Sequence, residues 1–186
     1  MLSYRHLLSC TNKLLYITLI FIISIKLNSC GYSALYDQRN SINPSVQEQM
    51  ALIQINPIQD RIGQYLHNNL LVRLNPKGTP ANPLYTLNAK LEEQSSDLGV
   101  KKSAVVTRGN LKISAIFTLS KFVKLNSRIE AKNLLTSTVV SISSYDIPQA
   151  QYAALAALKD AQKRALKEIA ENIRSRLGIY FNQSNQ

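Results

Sequence analysis

The chain has 186 residues, 45% of them hydrophobic, which excludes a wholly disordered chain and a polytopic membrane protein and fits one core with appendages. Twenty-two Lys and Arg against eleven Asp and Glu give +11 at pH 7, a balance that suits an acidic partner such as nucleic acid, an anionic headgroup or a phosphorylated glycan. Two Cys and two His argue against a multi-ligand metal site and exclude a disulfide scaffold, so neither metal nor cofactor is expected.

Residues 1–29 carry Arg5, Lys13 and Lys26 and no acid, and between the last two lies an apolar run over 14–25. The run is too short for a bilayer core of about 30 Å, which needs roughly 20 helical residues, but it fits the apolar region of a signal peptide. Leu27-Asn28-Ser29-Cys30-Gly31 follows and resembles the lipobox of bacterial lipoproteins, with Asn28 and Lys26 departing from the pattern. The resemblance implies that Cys30 becomes the lipidated first residue of the mature chain. Gly31 after it resembles the signal for transfer to the outer membrane. More than one acyl chain makes such an anchor stable. The alternative is an uncleaved N-terminal anchor with Cys30 an incidental thiol.

Residues 31–49 show no apolar period and include Asn43-Pro44-Ser45, which predicts a tether or extended arm. The apolar run over 50–55 predicts a short buried strand. Asn56-Pro57 has the chemistry of a helix start, and Ile58, Ile62, Leu66 and Leu70 recur every four residues, predicting a helix over about 57–74 that Asn75-Pro76-Lys77-Gly78 would end. Three strands are predicted next. In the first, over 85–93, Tyr85, Leu87, Ala89 and Leu91 alternate with polar residues; in the second, over 110–120, Leu111, Ile113, Ala115, Phe117 and Leu119 do so. The third, over about 129–144, is rich in Thr, Val and Ile, but its weaker alternation leaves its register open. Short links make the three an antiparallel meander.

A helix is predicted over 149–177, with Ala154, Leu158, Ala161, Ala165, Ile169, Ile173 and Leu177 on its buried stripe and Asp160/Arg164, Arg164/Glu168 and Lys167/Glu171 spaced to pair on the wetter side. The order β-α-β-β-β-α gives an α+β fold, a four-stranded sheet with two helices packed on one face. The expected division is a signal peptide over 1–29, a lipidated tether over 30–49, the α+β domain over 50–182 and a tail over 183–186.

Without residues 1–29 the chain keeps +8. Almost all of it lies within residues 101–132, where Lys101, Lys102, Arg108, Lys112, Lys121, Lys124, Arg128 and Lys132 face Glu130 alone. Such a cluster raises the local concentration of a polyanion, although lysines on strands also protect sheet edges. Export argues against nucleic acid, as does the shortage of aromatics for base stacking, since only Phe117 and Phe122 are at hand and the first is in phase with the core.

These parts together resemble the LptE family of lipopolysaccharide-assembly lipoproteins. The resemblance rests on Cys30-Gly31-Tyr32, Arg61-Ile62-Gly63 with Leu66 and Leu70, Arg108-Gly109-Asn110-Leu111 and Ser144-Tyr145-Asp146-Ile147-Pro148. Tyr152-Ala153, Lys159-Asp160-Ala161, Ile173 and Tyr180-Phe181 look like the alphaproteobacterial branch. It implies an outer-membrane lipoprotein, lipid-anchored and facing the periplasm and barrel interior, that plugs the LptD β-barrel, helps it assemble and binds lipopolysaccharide. It places Arg108 at the lipopolysaccharide, while Lys101, Lys102, Lys112, Lys121 and Lys124 join it on charge alone, by pairing with phosphates.

No enzyme is expected. After signal cleavage His67 is the only histidine, and the neighbours Glu92 and Glu93 point to opposite faces of a strand. No glycine-rich phosphate loop or nucleophile elbow occurs. Two other readings remain: an envelope lipoprotein acting only as a structural adaptor, and a polyanion-binding module unrelated to lipopolysaccharide.

Overall fold

Period-two alternation needs one wet and one dry face, and the sheet supplies both. The computed structural model describes residues 46–100, 106–125 and 128–184, with the side chains of 97–100, 106, 107, 124, 125, 128 and 129 left out. The expected signal peptide, Cys30, most of the tether, Lys101 and Lys102 lie outside the described residues, as do the side chains of Lys124 and Arg128. In chain order come helix α1 (Val46–Ala51), strand β1 (Ile53–Ile55), helix α2 (Asp60–Leu74), strands β2 (Tyr85–Val100), β3 (Val106–Leu125) and β4 (Arg128–Asp146), and helix α3 (Gln151–Ser184). The fold is α+β, as expected, with a four-stranded sheet in the order β1-β2-β3-β4. β1 runs parallel to β2, and the next two pairs are antiparallel.

On β3, Leu111, Ile113, Ala115, Phe117 and Leu119 are all fully buried, so the predicted phase is the observed one. They form the floor of a core whose other wall is Leu66, Leu70 and Leu74 of α2 and Ala161, Ala165, Ile169, Ile173 and Leu177 of α3. The alanines bring α3 close to the sheet. Rows across the strands alternate in bulk: Ala89 and Ser137 flank Phe117, whereas Leu87 and Leu135 flank Leu119. Small side chains thus leave room for the one large ring. No described element covers the opposite sheet face, and β4 leaves the sheet's far edge unpaired among the described residues.

The ends of several elements differ from expectation. The last residues of the expected tether are already helical in α1, and Met50 is fully buried there instead of starting a strand. Leu52 turns the chain, its N–H donating to Gln49 O at 3.2 Å, before the three residues of β1. Asn56 does not cap α2. Its N–H donates to Leu87 O at 3.0 Å and its Nδ2 to Asn88 Oδ1 at 2.7 Å, which continues the β1–β2 seam, so the helix begins only after Gln59. Asp60 takes φ 68° there, a left-handed conformation that Asp adopts more readily than most residues. Gly63, one turn on, lies against the Ile58 backbone: a Cβ would stand 2.9 Å from Ile58 O. All three strands and α3 are longer than expected. α3 has 34 residues, about 51 Å, and buries nothing before Ala161, so its first turns add no buried side chain to the core.

Of the expected helix-surface pairs only Asp160–Arg164 forms. Glu171 pairs with Arg73 at 3.1 Å and with Arg174 at 3.2 Å instead of Lys167, and Glu168 accepts from Ser141 Oγ at 2.6 Å instead of meeting Arg164. Tertiary partners displaced the local ones because Glu168 and Glu171 border the sheet and α2. Glu92 and Glu93 do point apart. Glu93 accepts from Gln162 Nε2 at 2.9 and 3.2 Å, and Gln162 Oε1 accepts from Arg61 Nη2 at 2.9 Å, so one buried amide ties α2, α3 and β2 together. Gln162→Ala is expected to lower stability by about 1–2 kcal/mol in urea denaturation, since both partners are charged but Glu93 keeps access to water.

Candidate functional site

Residue spacing in a strand sorts the basic cluster by face and by end. Arg108 and Lys112 are in phase with Asn110, Ser114, Ile116 and Thr118 on the uncovered face, whereas Lys121 is in phase with Leu119 on the helix-covered face. Arg108 and Lys121 are thirteen residues apart on one strand, which at about 3.3 Å per residue is about 43 Å. The structure therefore does not bring the expected binding residues into one patch. The positive charge has two poles, one beside the β2–β3 connection and one beside the β3–β4 connection, with a lightly charged middle.

At the first pole, Arg108 stands directly opposite Asp146, with Nε 3.9 Å from Oδ1. Both side chains are exposed, so the pair contributes little stability. Nearby, Arg164 reaches from α3 to β4, donating from Nη2 to Ser144 O at 2.9 Å and from Nε to Ser143 Oγ at 3.3 Å while paired with Asp160. Between these groups lies a shallow cavity of about 250 Å³. Its two guanidinium groups are balanced by two carboxylates, so an incoming anion there competes with Asp146 and Asp160. Gly109 lets the Tyr145 ring lie on the strand: a Cβ would come within 2.8 Å of it.

The uncovered face between the poles is apolar and cationic. Ile142 stands directly opposite Lys112 and is 61% exposed; Val140 is its neighbour on the same face at 45%, and Ile116, diagonal to Val140, is 40% exposed. Lys90 lies opposite Ile116. Among the described residues Lys112 and Lys90 have no ion pair, and Glu92 is the carboxylate between them on this face. Three adjacent β-branched side chains exposed on a broad sheet face, rimmed by ammonium groups, form a surface for an amphiphile or another apolar face.

The second pole holds a different site. Lys121 stands directly opposite Lys132, and on its other side opposite Tyr85, with Nζ 5.8 Å from that ring's centre. Lys132 reaches this face only because of a register shift: Leu119 pairs with Leu135 but Ser120 pairs with Asn133, leaving Leu134 as the extra residue. A bulge of this kind exchanges the two faces of the strand beyond it. Leu134 turns into a cavity of about 320 Å³ that also touches Leu52, Leu84, Tyr85, Lys121 and Phe181. Phe181 meets Tyr85 edge-on at 5.1 Å and Tyr180 at 5.5 Å. Burial, and then the neighbouring Tyr180, push the Tyr85 phenol above its usual pKa, so it stays protonated and able to donate. Lys121 was foreseen from charge. Lys132 was counted in the basic run, but its place beside Lys121 depends on the bulge, and Tyr85 and the aromatic end of α3 come to the site only through the fold.

His67 rests against β1, its Nε2 3.3 Å from Ile55 O, which is a packing role. No cluster of three or more metal-ligating side chains occurs among the described residues, and no described helix is long and apolar enough to cross a membrane.

No family model and no curated protein matches the sequence. Among solved structures, a Caulobacter crescentus protein described as a lipoprotein is similar with a TM-score of 0.57 and 22% identity, over 73% of this chain and 94% of that one. A minor lipoprotein of Acinetobacter baumannii follows at 0.48 and 15%, over 68% and 91%. Rare lipoprotein B of Shewanella oneidensis stands at 0.43 and 14%, over 71% and 94%. The first of these likenesses establishes the shared fold and nothing further.

Proposed function

We propose that this chain is a non-enzymatic envelope lipoprotein of the LptE type, anchored through Cys30, which seats its uncovered sheet face in an outer-membrane β-barrel and meets lipopolysaccharide with Arg108 and Lys112, the cations of β3 on that face. The observation that carries this reading is the uncovered face itself, where Ile116, Val140 and Ile142 stand in the open beside Lys112, Lys90 and Arg108. A sheet of this size normally covers such side chains, and a barrel wall or a glycolipid with phosphates and acyl chains has the matching chemistry. The lipobox-like Leu27–Gly31 segment and the fold shared with a protein described as a lipoprotein support the anchored location.

Extraction in mild detergent followed by pull-down and mass spectrometry is expected to recover a large outer-membrane barrel with the protein. Recovery of the lipoprotein alone defeats the barrel claim and leaves the structural-adaptor reading. Labelling with a radioactive fatty acid, lost in Cys30→Ala, checks the anchor. Lys112→Glu is expected to weaken lipopolysaccharide binding about tenfold and to reduce its salt dependence, as loss of one charge-assisted contact would. An unchanged affinity removes Lys112 from the interface. Arg108→Glu is expected to act more weakly, because Asp146 already faces that side chain.

A further inference from the structure

Two lysines directly opposed across an antiparallel pair repel one another, and sheets normally avoid the arrangement. Here a bulge creates it. Were Leu134 taken into the ladder opposite Ser120, Lys132 would pair with Phe122 and point to the uncovered face, away from Lys121. Among the described residues neither ammonium pairs with a carboxylate, and none of the side chains lining the adjoining cavity is acidic. Glu130 shares the face one step further along, opposite Val123 and diagonal to Lys121, where it is more distant than Lys132. The last turn of α3 brings a partial negative pole of about half a charge. That is too little to account for two full positive charges.

The rest of the wall is mostly apolar and aromatic, with Leu52, Leu84, Leu134, Tyr85, Tyr180 and Phe181, and Gln49 and Ser184 are its neutral polar members. A volume of about 320 Å³ sits at the small end of ligand cavities, with room for one chain and not for several. The protonated Tyr85 phenol adds a donor beside the lysines.

We infer that the Lys121–Lys132 pair and the cavity beneath it bind a single-chain fatty anion, its carboxylate or phosphate held between the two ammonium groups and its alkyl chain lying against Leu134, Tyr85 and Phe181. This site lies on the opposite sheet face from the surface used in the proposed function, at the other end of β3, and does not depend on it.

The test uses the full chain with Cys30→Ser, so that no acyl chain of its own competes, titrated with laurate, dodecyl phosphate and uncharged dodecanol below their aggregation thresholds. Binding is followed by calorimetry and by the tyrosine fluorescence of this tryptophan-free protein. One-to-one saturation by laurate, dodecyl phosphate or both is expected, with the preferred probe identifying the headgroup, and with dodecanol at least tenfold weaker. Lys121→Gln and Lys132→Gln should each lower affinity about tenfold, whereas Lys163→Glu, on the exposed flank of α3, should leave it within twofold. Lys132→Gln should also raise the Tm of the free protein by about 1–4 °C, because it removes the repulsion; lysines placed only to complement the helix end would give a lower Tm. Absence of saturable binding, equal binding of dodecanol, an equal loss in Lys163→Glu, affinity within twofold in Lys132→Gln, or a fall in its Tm overturns the assignment.

Discussion

Phe117→Ala is expected to lower the unfolding free energy by about 3–5 kcal/mol, the largest loss available to a single truncation here. Phe117 is among the largest fully buried side chains, and it lies at the middle of β3, between Ala89 and Ser137 on the same face. The stretch of α3 above the sheet is also rich in small residues, with Ala161, Ala165 and Ala170 all fully buried. None of these can swing into the vacated volume. The cavity would therefore persist, and residual cavity volume is what separates a costly truncation from a mild one. Urea denaturation should show a much lower midpoint with little change in slope. Phe122→Ala provides the contrast: that ring is 43% exposed, and its removal is expected to cost less than about 1 kcal/mol.

The second large effect is expected at Asn75, where Ala should cost about 2–4 kcal/mol. Its Nδ2 donates to Ala51 O at 3.1 Å and to Ile53 O at 3.2 Å, and the side chain is almost wholly buried. Those carbonyls end α1 and begin β1, so one amide group satisfies both sides of the turn between them. Its main chain also closes α2, with the N–H donating to Leu71 O at 2.9 Å. Alanine keeps the main-chain bond and leaves the buried Ile53 carbonyl and the partly buried Ala51 carbonyl without this donor, at about 1–3 kcal/mol for a fully buried acceptor and less for the other. Asn75→Asp should be at least as harmful at neutral pH, since a carboxylate would then face two carbonyl oxygens. Hydrogen exchange should locate the damage: amides of α1 and β1 should lose protection first, while those of β3 continue to report global unfolding.

The contrast between β3 and its neighbours explains what the sequence could and could not disclose. β3 buries one face along its length, so Leu111 to Leu119 write the period into the chain. α1 and β1 are too short to establish any period. Met50, Ile53 and Ile55 read as one strand because the turn at Leu52 is made by a backbone hydrogen bond, which no side chain announces. Asn56-Pro57 had the chemistry of a helix start but was taken up by the seam with β2, a tertiary competitor invisible to local reasoning. The weak alternation of the third strand was itself informative, for it marks the bulge at Leu134. The candidate surface was harder to read. Charge density along the chain found Arg108, Lys112 and Lys121 but not that strand geometry would divide them between two faces and two ends.

The outer edge of β4 has a consequence for how the protein can be handled. From Asn133 to Tyr145 it carries neither charge nor proline, and much of it is Thr, Ser, Val and Ile. The bulge interrupts pairing near one end, and the Arg164 guanidinium occupies the Ser144 carbonyl near the other, which among the described residues leaves a central ladder of amides and carbonyls without a strand partner. Concentrated alone, such molecules would join ladder to ladder into ribbons, so the chain's colloidal lifetime would depend on how soon a companion shields that border.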